Sequence, residues 1–317
     1  MELRKLIGIV EILKHLIKIL PRNGTRMAVV TGVYIIVFPL FFVSNLSTIK
    51  PILTDLVSKA LVLPSLDPQS LVFAQILVFV QKDVKNFLSL ELVFFLALIL
   101  TSLFTQNAVI LLTGSSYNDK KISQEDLMLR APHSLFRLFV TSFHVTLLKI
   151  GFLFFGFVTL MVSTAMLSEY KFVSKVIFWL LVILFVSLYL HFSVVWVLSL
   201  VVSVLEECLG IEALGKAGRL LKGKKLDGFF FNVLINVLVY PLSHVLSKLT
   251  MVKESELFLT SFWLFLVMGC ICLIITFALQ AYTVLYFACK KNHGEEIELQ
   301  GSVEYTKIPA VLPVDIP

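Results

Sequence analysis

Residues 176–205 read VIFWLLVILFVSLYLHFSVVWVLSLVVSVL, and this stretch decides the fold class. It contains no Asp, Glu, Lys or Arg over 30 consecutive residues. A helix rises about 1.5 Å per residue, so about 20 apolar residues cross a hydrocarbon layer about 30 Å thick. The stretch therefore predicts a transmembrane helix, with the excess length projecting past the headgroups.

The rest of the chain repeats this pattern. Of the 317 residues, 58% are hydrophobic and 15% are charged, whereas soluble domains have about 45–50% and 25%. Apolar runs long enough to span occur at 27–46, 90–112, 138–167, 176–205, 229–246 and 257–289. The sequence therefore predicts an all-α, polytopic membrane helical bundle with about six transmembrane helices and additional interfacial amphipathic helices.

The basic residues are distributed unequally between the two sides of such a bundle. Of the 27 Lys and Arg residues, 18 fall on the side that holds both termini, eight fall on the other side, and Lys149 lies inside the third span. Lys and Arg favour cytoplasmic loops, so we expect both termini in the cytosol, at an endomembrane such as the ER or at the plasma membrane. The net charge of +6 follows from this bias and requires no nucleic-acid partner.

Both ends of the chain lie outside the predicted spans. Residues 1–26 place apolar and charged side chains on opposite faces, which predicts an amphipathic helix in the cytosolic interface or, alternatively, one packed on the protein's own bundle. Residues 290–317 lack apolar periodicity and predict a disordered cytosolic tail. Cys289, beside Lys290 and Lys291, is a candidate for palmitoylation, with an unmodified interfacial cysteine as the alternative.

The first loop is the longest one between spans. It covers 47–89 and contains an apolar run at 71–80, which is too short to cross a membrane. Because Pro64 and Pro68 precede this run, we expect a separate interfacial or re-entrant helix there. An extra or broken span is the alternative.

A second distinctive stretch follows the fourth span. Glu206 and Glu207 end the apolar helix, and an amphipathic helix is predicted from about 211 to 221, with Gly223 as its stop. This helix is expected to lie on the inner leaflet. Its basic residues form a patch expected to contact anionic lipids. The patch, called the basic patch below, consists of Lys216, Arg219, Lys222, Lys224 and Lys225.

This stretch resembles a motif of a plant family of uncharacterised multi-span membrane proteins. More distantly, it is similar to the membrane domain fused to some bacterial glycerophosphodiester phosphodiesterases. The matching residues are Glu206 or Glu207, Gly210, Ala213, Leu214, Leu220 and Gly223. Ala217 occupies the position where the family usually has a serine. The resemblance implies a six-span layout over nearly the whole chain, but no activity, since phosphodiesterase chemistry belongs to a separate barrel domain.

Polar residues inside the predicted spans favour another hypothesis. Lys149 lies about 12 residues, or roughly 18 Å, beyond Arg137 and near the midplane, where an ionisable group is costly. We expect it to line a midplane polar cavity. The other candidates for this lining are Gln106, Asn107, His191 and Asn236. Ordinary hydrogen bonding between helices, or a lysine extended toward the headgroups, is the alternative.

Catalytic signatures are missing from the sequence. It has no phosphate-binding loop, no His-Glu-x-x-His, no Cys-x-x-Cys and no Gly-x-Ser-x-Gly, and its six histidines lack metal-ligand spacing. We therefore expect no cofactor and no enzymatic activity, and an intramembrane enzyme is only the third hypothesis. The leading hypothesis is a non-catalytic protein that organises the membrane or recruits cytosolic protein partners through its cytosolic face. The alternative is a carrier or lipid-handling protein with a polar cavity around Lys149.

Overall fold

A computed structural model describes residues 14–18, 23–118, 124–166, 171–251 and 257–294. Most residues in these ranges are helical, and none of them forms a β-strand. The helices after residue 22 are α1 (Gly24–Val62), α2 (Leu71–Tyr117), α3 (Gln124–Met166), α4 (Lys171–Leu205), α5 (Ile211–Leu220), α6 (Lys225–Thr250) and α7 (Leu257–Asn292). All except α5 are long and apolar enough to cross a membrane, which confirms the predicted fold class and six spans.

Every span is longer than the apolar run that predicted it, although α3 ends at Met166, one residue before its predicted end. The helix α3 begins at Gln124 rather than at 138 and runs without a break through Pro132. The helix α6 covers Lys225–Thr250 rather than 229–246. Hydropathy detects the segment that contacts hydrocarbon, whereas the backbone continues as a helix into the polar flanks.

The apolar side chains of the spans mostly face outward. In the most apolar stretch of α2 only 6% of the residues are buried, whereas 44% are buried in α7. The helix α7 contacts α1, α2, α4, α5 and α6, and is therefore the central helix of the bundle. Outward apolar surface of this extent requires lipid as its solvent.

The buried core lies at one end of the bundle. The last turns of α2, α4 and α7 share one hydrophobic cluster there with the buried face of α5. Tyr117 of α2 and Phe287 of α7 stack in this core with their ring centroids 4.3 Å apart. We refer to this region, built around 107–117, 194–205, 211–221 and 278–290, as the α5 end of the bundle.

The helices α1 and α2 form a hairpin that is longer than predicted. The expected loop at 47–89 shrinks to the connection 63–70, and the run 71–80 is the first part of α2. The prediction of a separate interfacial or re-entrant helix is therefore wrong. The Ser70 Oγ accepts a hydrogen bond from the Phe73 N–H at 3.1 Å and caps α2. No Pro or Gly interrupts the chain between 71 and 113, so the charged residues near 82 do not break the helix.

Only part of each predicted terminal segment falls within the described ranges. Residues 14–18 are helical, and Leu16 is buried in the core cluster while Ile17 is 68% exposed. This burial favours the alternative, a helix packed on the bundle, for these five residues. The remainder of 1–22 and the tail beyond 294 lie outside the described residues.

Candidate functional site

The amphipathic helix predicted from about 211 to 221 is present as α5, and glycines flank it. Gly210 has a φ of 58° and Gly223 a φ of 104°, a backbone conformation that glycine adopts without a steric penalty. The Gly210 N–H donates a hydrogen bond to the Thr141 Oγ1 of α3 at 2.9 Å. The two glycines therefore allow the chain to turn sharply into and out of α5.

The apolar face of α5 is covered by protein. Ala213, Ala217 and Leu220 are buried, and Leu214 is half-buried. The helix packs mainly on α4, with further contacts to α3 and α7. Small alanine side chains bring this face close to α4 and remove it from lipid. The expectation that α5 lies at the inner leaflet stays a prediction.

Glu206 connects three helices at the α5 end. Its side chain is only 6% exposed, and its Oε2 forms an ion pair with the Lys216 Nζ of α5. Its Oε1 accepts a hydrogen bond from the Tyr286 Oη of α7 at 2.5 Å. The Lys290 Nζ, also on α7, lies 3.6 Å from the same oxygen. Glu207 is exposed, so Glu206 is the residue that fits the acidic position of the motif.

The surroundings of Glu206 keep its carboxylate charged. Burial on its own would raise the pKa, but hydrogen bonds from Lys216 and Tyr286 and the charges of Lys216 and Lys290 outweigh burial and lower the pKa of Glu206. A charged carboxylate thus holds α5 and α7 against the end of α4.

A polar cavity of about 520 Å³ opens beside this ion pair. Its lining residues are Cys208, Glu212, Lys216, Arg219, Leu220, Lys222 and His293. Three members of the predicted basic patch therefore surround one cavity, whereas Lys224 and Lys225 are not part of its lining. The sequence indicated the basic residues but not this division of the patch.

The thiol in this cavity is not activated for nucleophilic chemistry. The Cys208 Sγ donates a hydrogen bond to the Glu212 Oε1 at 3.7 Å. Burial, followed by the negative charge of Glu212, raises the pKa of Cys208, so the thiol stays protonated at neutral pH. Within the described ranges, no three His, Cys, Asp or Glu side chains are placed to hold a metal ion. The lining suits the binding of an anion.

A second polar junction joins α4, α6 and α7. The Asn232 Nδ2 donates to the Leu190 backbone oxygen at 2.8 Å, and the Tyr282 Oη donates to the Asn232 Oδ1 at 3.0 Å. Tyr282 and Tyr286 lie one turn apart on α7, so one face of this helix supplies donors to both junctions. Sequence reasoning missed both tyrosines, and their four-residue spacing was the only available signal.

Lys149 contacts an aromatic ring. Its Nζ lies 5.9 Å from the centroid of the Trp196 ring, within the range of a cation–π interaction. Trp196 packs in turn against Phe152, Tyr189 and Phe192. This contact places Lys149 against an aromatic cluster of α3 and α4.

The other four candidates for the midplane cavity make separate contacts. The Gln106 Nε2 donates to the Ser102 Oγ on its own helix at 2.9 Å, and the Asn236 Nδ2 donates to the Asn232 backbone oxygen at 2.8 Å. Asn107 is buried in α2, and His191 is half-buried in α4. The contacts described for these residues do not join them into one site.

A cavity of about 820 Å³ lies between α3, α4 and α6. Its lining is mainly apolar and includes Phe152, Phe185 and Val237. Of the five residues predicted to line a midplane cavity, Asn236 alone lines this one. The cavity begins one helical turn beyond Lys149 and is apolar rather than polar.

Cys289 is not accessible for acylation. Its exposed fraction is 0%, and it belongs to the core cluster at the α5 end. An acylating enzyme cannot reach this thiol in the folded bundle, because neighbouring helices cover it. The palmitoylation prediction is corrected accordingly, and the alternative of an unmodified cysteine fits the structure.

Comparison with curated proteins and with solved structures finds no match. A family model covers residues 1–305. This range includes all six spans, α5 and the residues around the polar cavity. The chain therefore belongs to the family described as "Domain of unknown function (DUF8558)".

Proposed function

We propose that this protein is a non-catalytic, multi-pass membrane protein that binds anionic lipid and recruits cytosolic protein partners at the α5 end of its bundle. The observation that carries the proposal is the convergence of Lys216, Arg219 and Lys222 around one cavity beside the end of α4. The excess of Lys and Arg on this side supports a cytosolic location at the ER or the plasma membrane.

The energetics of a basic surface fit this role. Each Lys or Arg near an anionic leaflet contributes about 1 kcal/mol of attraction. Lys224 and Lys225 directly precede or begin α6, so they add charge beside the cavity. Because the cations of the basic patch lie on one short segment, they favour a single docking surface for an anionic leaflet. Cations spread over the whole molecule would not form such a surface.

Relatedness to the plant family and to the bacterial membrane domain belongs to this proposal. It is supported by the structural roles of Glu206, Gly210, Ala213 and Gly223, each of which depends on its residue type. These residues build a turn and a contact between helices, so proteins that share them can share a fold and still have different activities.

The test is proximity labelling from a C-terminally tagged, full-length copy at native expression. One variant replaces Arg219, Lys222, Lys224 and Lys225 with Gln. A matched control replaces four basic residues far from α5, namely Lys82, Lys85, Lys175 and Lys248, with Gln. We expect a defined set of cytosolic neighbours that disappears in the first variant and persists in the control. An identical set in all three proteins would refute recruitment through this surface.

A second candidate function is favoured by the apolar cavity of about 820 Å³. A cavity of this kind, adjacent to Lys149, fits a carrier or lipid-handling protein that takes up an acyl chain. The check is lipid analysis of the purified Lys149→Leu variant beside a Lys175→Leu control. Unchanged co-purifying lipids in the Lys149 variant would exclude a lipid-handling role for this residue.

A further inference from the structure

The polar cavity at the α5 end carries an excess of positive charge. Lys216, Arg219 and Lys222 line it, and Glu212 is the acidic residue of its lining. Behind Lys216, Glu206 pairs with both Lys216 and Lys290. Four cations therefore face two carboxylates, which leaves a net charge of +2 with His293 counted as neutral.

The two carboxylates do not cancel the outer cations. Glu206 is turned toward Lys216, Tyr286 and Lys290, and Glu212 accepts a hydrogen bond from the Cys208 thiol. Arg219 and Lys222 are exposed at the mouth of the cavity. Their charged groups are therefore accessible to an incoming anion.

The charge and the donor geometry together indicate the ligand. A phosphate monoester carries about −1.5 to −2 charges at neutral pH and has three acceptor oxygens, and a guanidinium group presents parallel donors that match two of them. A cavity of about 520 Å³ lies within the usual size range for small-ligand sites. We infer that this cavity binds a single phosphate monoester group through Arg219 and Lys222, with Lys216 at its base.

This inference rests on the proposed function and narrows it to one chemical class. A phosphate diester carries a single negative charge, so it matches only half of the excess positive charge. A lipid with a phosphate monoester headgroup and a soluble phosphate monoester share the recognised group. The cavity therefore distinguishes headgroups by their charge, in addition to the general attraction of a basic surface to an anionic leaflet.

The experiment uses the full-length chain in nanodiscs of phosphatidylcholine that contain a minor fraction of either phosphatidic acid, a monoester, or phosphatidylglycerol, a diester. Lipid retention is measured by native mass spectrometry. The cavity variant is Arg219→Gln with Lys222→Gln, and the matched control is Lys82→Gln with Lys85→Gln, which removes two exposed lysines of the α1–α2 hairpin. Loss of charge-assisted hydrogen bonds predicts affinity for phosphatidic acid that is weaker by about tenfold or more in the cavity variant, with less than about a twofold change in the control.

Two further measurements identify the source of the phosphate and exclude misfolding. In nanodiscs of phosphatidylcholine alone, glycerol 3-phosphate raises the Tm of the native chain if the soluble monoester binds, and leaves it unchanged if the lipid form is required. The charge-preserving variant, Arg219→Lys with Lys222→Arg, retains binding if the cavity variant fails to bind because it lacks two positive charges. It does not retain binding if substitution at these two positions disrupts the fold. Equal retention of phosphatidylglycerol and phosphatidic acid, or an equal loss in cavity and control variants, would overturn the inference.

The outcome is separable from that of the proposed function. If the cytosolic neighbours disappear in the four-site variant while no monoester binds, the recruitment proposal stands and the inference fails. If the monoester binds but the neighbours are unchanged, the inference stands and recruitment through this surface fails.

Discussion

At the scale of single residues, Glu206 has the largest effect on how the bundle is assembled. It is the first residue after α4, and its carboxylate bonds to side chains from α5 and α7. A buried charge is tolerated only when paired and hydrogen-bonded, and removing one member of such a group leaves the others without compensation. We therefore expect that replacing Glu206 even with glutamine, its uncharged isostere, destabilises the protein.

Glu206→Gln should lower the free energy of unfolding by about 2 kcal/mol, because hydrogen bonds to a charged group are replaced by weaker neutral ones. The pH dependence gives a specific check. The pKa of Glu206 is lowered in the folded protein, so its contribution is fully present above the ordinary carboxyl value of 4.5 and is lost as the pH falls below it. The Tm difference between native and variant proteins should therefore shrink below that pH, whereas a constant difference would contradict the role of charge.

The glycines that flank α5 give a second prediction at this scale. Gly210→Ala and Gly223→Ala should each destabilise the protein by about 1–2 kcal/mol, since a Cβ is disfavoured at positive φ. Gly215→Ala inside α5 is the matched control, because no atom lies within 4 Å of the position that its Cβ would occupy. Thermal unfolding measures all three, and an equal effect at Gly210 and Gly215 would contradict the assignment of Gly210 to a required turn.

At the scale of elements, the α1–α2 hairpin is too long for a bilayer. Helices of 39 and 47 residues extend about 58 and 70 Å at 1.5 Å per residue. Fitting the shorter one into about 30 Å of hydrocarbon would require a tilt of about 60°, beyond the usual range. The antiparallel pairing is set by Asn23 with Ser116 at the base and Lys59 with Asp83 near the tip. The hairpin therefore projects from the membrane on the side away from α5.

This projection predicts a gradient in amide hydrogen exchange. Residues 50–62 and 71–88 should exchange fastest among the long helices, because they extend beyond the hydrocarbon layer and are reached by water. Residues 107–117 and 197–205 should be the slowest, since they form the buried core. Exchange of the full-length protein in nanodiscs measures both sets. Equally strong protection at the hairpin tip would show that a membrane or another molecule covers it.

At the scale of the whole molecule, the six spans are joined by protein contacts mainly at one end, and lipid surrounds much of the remaining surface. Such a bundle needs no large core along its whole length, because apolar side chains are as stable in lipid as they are against each other. The packing and hydrogen bonds at the α5 end therefore account for most of the specificity with which these helices associate.

The span count predicts that the hairpin tip and the end of α7 lie on opposite sides of the membrane, since five spans separate them. A cysteine introduced at Ser65 and another at Gly294 should react with an impermeant maleimide from opposite sides, with the unmodified chain as the control for the native thiols. Reaction of Gly294→Cys from the cytosol agrees with the positive-inside rule. Labelling of both positions from the same side would refute the six-span arrangement.

The sequence alone determined that the protein is helical, that it spans a membrane six times, and that an amphipathic helix bounded by Gly210 and Gly223 follows the fourth span. These features depend on local composition and backbone preference, which are encoded within about 20 residues. Helix ends were less predictable. The run 71–80 continues into the second span, because backbone hydrogen bonding does not stop where hydropathy falls.

Only the tertiary structure decided which polar residues meet. It paired Glu206 with side chains 80 and 10 residues away in sequence, divided the basic patch between a cavity and its surroundings, and separated Lys149 from the other candidates of a midplane cavity. It also buried Cys289, which the sequence placed at an accessible boundary. Contacts of this kind depend on how helices rotate and pack against one another, and a single sequence carries little information on helix rotation when lipid and protein interior are equally apolar.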